Sequence, residues 1–139
     1  MDEVRLRYLF RRRASDAVLI MFSLTQILVS TLVGALASFV AVWLYGRWAK
    51  DAAPRPVDAL LIALVVGISI LLWREAGNTP TLNDDPIPVV SPNDVLCPVV
   101  TYVCLGILAG FRSTLQGPDW NRLRALLTLV SLVVNVATI

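Results

Sequence analysis

Histidine is absent from this 139-residue chain, and charge is scarce, at 16% Asp, Glu, Lys and Arg. Without imidazole the chain lacks the commonest ligand for haem, zinc and copper and the commonest general base. Cysteine is limited to Cys97 and Cys104. On a helix these two share a face but stand roughly 10 Å apart along the axis, beyond the roughly 4.4–6.8 Å between Cα atoms that a disulfide allows. They read as small apolar residues. Ionisable side chains are missing from the middle of every long apolar run. Charge at membrane depth is costly and marks proton relays and voltage sensors, so its absence argues against a proton-coupled pump, a voltage sensor or an exporter working through a carboxylate. The serines and threonines of these runs have no partner base to activate them. The expectation is a protein that is not an enzyme, with no cofactor and no metal site.

Apolar residues make up 57% of the chain, and the mean hydropathy is +0.72. They fall in long blocks without polar alternation, which excludes an ordinary soluble domain. Four windows are almost free of charge: residues 17–46, 57–73, 95–111 and 123–139. A bilayer crossing needs roughly 17–25 residues, so the last three sit at the short limit. The first would extend roughly 45 Å as helix and must tilt or protrude. The predicted fold is all-α: an integral membrane bundle of four transmembrane helices (17–139) with a short basic interfacial arm (1–16). Asp2 and Glu3 ahead of the arginines, and an apolar run too long for a signal peptide, give the N-terminus no leader character.

The connections carry their own signals. In MDEVRLRYLFRRRASD, Leu6, Leu9 and Phe10 share a helical face while Arg5, Arg12 and others reach toward lipid phosphates. This reads as an interfacial helix ordering lipid through Arg11, Arg12 and Arg13; the alternative is a basic flank that only fixes orientation. Ser15 or Asp16 is placed to cap the first span. Trp43, Tyr45 and Trp48 cluster where that span should leave the membrane. Pro56 suits the first turn of the second helix, and Asp58 reads as a helix-start residue favoured by the dipole. Residues 74–94, with Pro80, Pro86, Pro88 and Pro92 among Glu75, Asp84, Asp85 and Asp94, read as an acidic, solvated linker or a strap against a partner. Asn93 is the predicted cap of the third span, with a bend at Pro98. Gly117-Pro118 separates the last two spans, and Trp120 belongs at interface depth.

Small residues recur at four-residue steps: Ser30, Gly34 and Ser38; Ala59, Ala63 and Gly67; Gly106 and Gly110. That spacing lets helix backbones approach closely in lipid. The last span lines up Thr128, Ser131, Asn135 and Thr138, a polar stripe able to hydrogen-bond across helices. These features point to a non-catalytic accessory or structural subunit of a larger membrane complex. Its partners would be other membrane subunits and lipid. The net charge of +2 gives no reason to expect nucleic acid. The alternative is a homo-oligomeric channel, holin or small transporter with the polar stripe lining a pore. The membrane is a bacterial inner membrane or that of an organelle. Basic residues divide six against six between the two sides, and the dense arginine cluster before the first span favours both termini inside.

Overall fold

The structure, a computed structural model, describes residues 21–49, 54–83 and 90–138. The basic arm with Arg11, Arg12 and Arg13, and the cap candidates Ser15 and Asp16, lie outside these residues. Among the described residues four α-helices form: α1 (Leu24–Trp48), α2 (Pro56–Ala76), α3 (Pro92–Phe111) and α4 (Pro118–Thr138), with a 3₁₀ turn at Ser113–Leu115. They run up, down, up and down. Each packs on the next, and α4 closes on α1 to complete the ring.

Three of the helices, α1, α2 and α3, are long and apolar enough to cross a membrane. The fourth differs because Asp119, Arg122 and Arg124 occupy its first turns. Its uncharged stretch, residues 125–138, extends about 21 Å at 1.5 Å per residue, short of the roughly 30 Å hydrocarbon core.

The helix starts follow local chemistry, with corrections to the sequence reading. In α1, Ser23 is the cap: its Oγ accepts from Gln26 N, and Gln26 Oε1 accepts from Ser23 N at 2.8 Å, so two orphan donors are satisfied reciprocally. The start of α3 repeats this device with Ser91 and Asp94. Ser91 therefore caps α3, not Asn93, whose amide instead donates to Asn83 Oδ1 at 2.7 Å. In α2, Pro56 takes the first helical position and Asp58 lies in the first turn, both as expected, and the Asp58 carboxylate also accepts from Arg112 at the end of α3. Between α3 and α4 the 3₁₀ turn leads to Gly117, whose φ of 110° is a left-handed conformation that glycine adopts without strain. Pro98 lies inside α3, and the helix continues on both sides of it.

Residues 74–94 are not one solvated linker. α2 runs through Trp73 to Ala76, and Arg74 and Asp94 are both buried. Between the helices, asparagines hold the chain down. Asn78 exchanges hydrogen bonds with the backbone N–H and C=O of Phe22, both at 2.9 Å, and Asn83 donates to Asn78 at 3.0 Å. The start of α1 is thereby tied to the α2–α3 connection.

The bundle buries small and hydrogen-bonding residues beside an apolar core and leaves many large apolar side chains on its outer face. On α1 the buried face is Ile27, Ser30, Gly34, Ser38 and Val42, while Leu28, Leu32, Leu36, Phe39 and Trp43 point outward. On α2, Leu60, Leu64, Ile68 and Leu72 face out at four-residue steps. The interior has two halves along its axis. Ile62, Val66, Leu105, Leu123 and Leu127 fill the half toward the start of α2, and the other half sets polar side chains beside Ile27, Ile70, Cys97 and Val134.

Candidate functional site

The polar half is a continuous hydrogen-bonded column shared by α2, α3 and α4. Arg74, in the last turn of α2, is fully buried. Its Nη2 meets Asp94 Oδ1 of α3 at 2.5 Å, and its Nε donates to Asn135 Oδ1 of α4 at 2.9 Å. Asp94 Oδ2 accepts from the Ser91 backbone N–H and hydroxyl, at 2.9 and 2.8 Å. From Asn135 the column continues inward: its Nδ2 donates to Ser131 Oγ at 3.3 Å and to Ser131 O at 2.7 Å. Ser131 Oγ lies 3.1 Å from Thr101 Oγ1, and Thr101 Oγ1 lies 2.9 Å from Ser69 Oγ. The column ends where Ser69 donates to Val66 O at 2.8 Å. Cys97 is fully buried, and Cys104 is half-buried; both are free thiols.

The positions follow from helix geometry. Residues 131 and 135 are one turn apart on α4, as are 94, 97 and 101 on α3, so each helix contributes one vertical row. Arg74 follows Ser69 and Ile70 on the inward face of α2. A buried arginine is tolerated because its charge is matched by Asp94 and its fork is shared with Asn135. Its Nη1 has no hydrogen-bond partner among the described residues, and the guanidinium carbon sits 5.2 Å from the Phe22 ring. Two consequences correct the sequence reading. Arg74 is not a free flanking cation, which removes it from the count that weighed one side against the other. Asp94 is not part of an acidic surface.

At the opposite end a second cluster forms. Asp58 Oδ1 accepts from Arg112 at 2.7 and 3.2 Å, and Oδ2 accepts from Thr114 at 3.0 Å. Asp58 is 1% exposed, so this carboxylate is held from above by the turn that follows α3.

The small residues have varied surroundings. Ser30, Ser38, Ala59 and Ala63 are buried within the bundle. A Cβ at Gly34 would collide with Ile70 Cδ1, and one at Gly67 would lie 3.1 Å from Ala35 Cβ, so α1 and α2 meet there at close range. Gly106 sits under the Arg124 guanidinium of α4, which stacks on the Tyr102 ring at 3.5 Å and donates from Nε to Tyr102 O at 2.9 Å. Nothing lies within 4 Å of a Cβ at Gly110. In the polar stripe, Ser131 and Asn135 enter the column, and Thr138 donates to Ser30 Oγ at 3.0 Å and to Val134 O at 2.7 Å. Thr128 bonds back to Arg124 O within its own helix.

Sequence reasoning missed Arg74, Asp94, Ser69 and Thr101 as members of one site. The available signal was an Arg and an Asp at facing ends of two apolar runs, each about one turn from a polar residue, with an Asn at matching depth on the last helix.

In chemical terms the column holds charge without offering a reactive group. Both oxygens of Asp94 are occupied, and each hydroxyl bonds to another hydroxyl, an amide or a carbonyl. Among the described residues no three His, Cys, Asp or Glu side chains converge. The chain matches no known protein-family model, and comparisons with curated proteins and with solved structures find no similar protein.

Proposed function

We propose that the chain is an integral membrane protein whose four helices all cross the bilayer, and that it serves as a non-catalytic accessory or structural subunit of a larger membrane complex. The observation that carries this reading is the apolar outer surface: Leu, Val, Ile and Phe cover the outside of α1, α2 and α3, while the buried Ser, Thr, Asn and ion pair share the interior with an apolar core. A soluble monomer rarely exposes contiguous apolar patches beyond a few hundred Å². Lipid tails and the apolar helices of neighbouring subunits satisfy such a surface at no desolvation cost. The start of α4, with exposed Arg122 and with Arg124 stacked on Tyr102, then lies at headgroup depth, where long cationic side chains reach the interface. Arg11, Arg12 and Arg13 supply the same affinity for anionic headgroups from the arm.

The internal use of polar groups supports a non-catalytic role, since no carboxylate in the column is free to act as a base. It also tells against a pore between copies. Ser131 and Asn135 are fully buried within their own bundle and would have to abandon Arg74 and Thr101 to line a shared axis.

Purification of the tagged full chain in a mild detergent, followed by native electrophoresis and mass spectrometry, tests the reading. The expected result is co-migration with larger membrane proteins at fixed stoichiometry. A homo-oligomer without other subunits, conducting after reconstitution and silenced by Asn135→Leu, would overturn it.

A further inference from the structure

Arg124 rises from the second turn of α4, on the seam with α3. Thr101 of α3 stands opposite Ser131 of α4, so in this antiparallel pair the Arg124 backbone is level with about residue 108. Although the start of α4 stands at headgroup depth, the Arg124 side chain turns inward from that level. Its guanidinium rests over Gly106 and on the Tyr102 ring at 3.5 Å. Gly106 itself lies about 7.5 Å, by helical rise, inside the end of α3 at Phe111. A long cation seeking water extends toward the headgroups; this one reaches toward the middle of the bundle. We propose that Arg124 in this seat binds the phosphate of an anionic phospholipid drawn into the α3–α4 seam. The proposal rests on the reading of the bundle as membrane-embedded, not on its role as a subunit.

The seat exists because Gly106 has no side chain. A Cβ there would collide with the Arg124 guanidinium, and its absence lets Nε donate to Tyr102 O at 2.9 Å. That bond and the ring orient the planar fork in advance, so less freedom is lost when an anion binds. The terminal nitrogens Nη1 and Nη2 have no acceptor among the described residues, and no carboxylate pairs with this arginine there. Asp94 and Asp58 are committed to Arg74 and Arg112. A half-buried guanidinium below the headgroups and without a counter-ion is costly, and its two free nitrogens match a phosphate bidentately.

Two further features bring a lipid phosphate within reach. Gly110, on the same face one turn nearer the end of α3, has nothing within 4 Å of its Cβ position, so the seam is open between the seat and the bundle end. The uncharged stretch of α4 extends about 21 Å against a hydrocarbon core of roughly 30 Å, so the bilayer thins on this side and its phosphates move inward. Arg47 provides the contrast. It stacks over Trp43 at 4.5 Å in the last turn of α1, but it is exposed and makes no hydrogen bond to a neighbouring helix among the described residues.

The test uses the full chain inserted in vesicles and then taken into mild detergent. It is titrated with phosphatidylglycerol or phosphatidylcholine of matched acyl chains, with inorganic phosphate as a competitor. Native mass spectrometry counts what remains bound, and thermal unfolding reports on folding. The expected result is retention of phosphatidylglycerol at least about five-fold above phosphatidylcholine. Arg124→Gln should lower it about five-fold or more, and Gly106→Ala, which keeps the arginine but displaces it from its seat, about three-fold, while Arg47→Gln leaves it within about two-fold. Should Arg124→Gln unfold the chain, Gly106→Ala decides the outcome. Equal retention of the two lipids overturns the proposal, as does unchanged retention in Gly106→Ala or an equal loss in Arg47→Gln, the mark of a diffuse charge effect. Displacement of the lipid by an equal concentration of inorganic phosphate assigns the seat to free phosphate and overturns it too. So does Arg124→Gln releasing a co-purifying membrane protein without losing lipid, which assigns the arginine to a carboxylate of that protein. A chain that fails to insert into vesicles overturns the membrane reading and this site with it, whereas insertion without selective retention overturns this site only.

Discussion

Arg74 illustrates how a charge is kept inside an apolar bundle. The guanidinium is matched by one carboxylate and oriented by one amide, so its burial depends on both partners. Replacing Asp94 with Asn leaves the cation uncompensated and is expected to cost about 3–5 kcal/mol, read as a lowered unfolding midpoint in detergent. Arg74→Lys keeps the charge but removes the fork that serves Asp94 and Asn135 together, with an expected loss of about 1.5–3 kcal/mol. Substituting both Arg74 and Asp94 by leucine should cost less than the two single changes summed, because neither double-mutant partner is left alone; a double-mutant cycle measures the difference. The glycines separate in the same way. At Gly67 an added Cβ presses on Ala35 Cβ, which is fixed to its backbone, so Gly67→Ala must push α1 away from α2. At Gly106 it meets only the mobile tip of Arg124, which can swing aside. Gly67→Ala is therefore expected to destabilise by about 1–3 kcal/mol, the range for overpacking, and Gly106→Ala by clearly less, as compared in thermal unfolding.

Each helix is defined less by its apolar run than by the polar residues at its ends. Asn78 satisfies both backbone groups of Phe22 and so fastens the start of α1 to the segment after α2. Asn78→Ala should raise hydrogen exchange across the first turn of α1 while leaving the middle of α2 protected, a contrast read directly by mass spectrometry of exchanged peptides. The apolar windows at 57–73 and 95–111 made α2 and α3 legible in the sequence, because uninterrupted hydropathy marks helix bodies well. Their ends were not legible. Arg74 and Asp94 sit one residue outside those windows, where charge ordinarily means solvent, and their mutual approach across two helices keeps them inside. The spacing of Ser30, Gly34 and Ser38 was equally visible, yet spacing carries no information on which helix lies opposite. Gly106 shows the limit most clearly: a GxxxG spacing suggests a helix partner, and here a guanidinium from α4 lies over its first glycine.

At the scale of the whole molecule, the proposed four-crossing bundle turns on α4, since α1, α2 and α3 alone are long and apolar enough to cross a membrane among the described residues. α4 closes the ring on α1 and contributes Ser131 and Asn135 to the column, yet its charged first turns leave it the least apolar of the four helices. With all four helices crossing, the segment at residues 79–83 and the end of α4 must share one side, and Gly117 must lie on the other. Reporter domains inserted at residues 79–83, at Gly117 and after Ile139, each scored for the side on which it is active, test this most directly. The account predicts that the first and last report the same side and the middle one the opposite side. A reporter after Ile139 on the same side as Gly117 would mean that α4 does not cross, and would contradict the four-crossing bundle with its column inside.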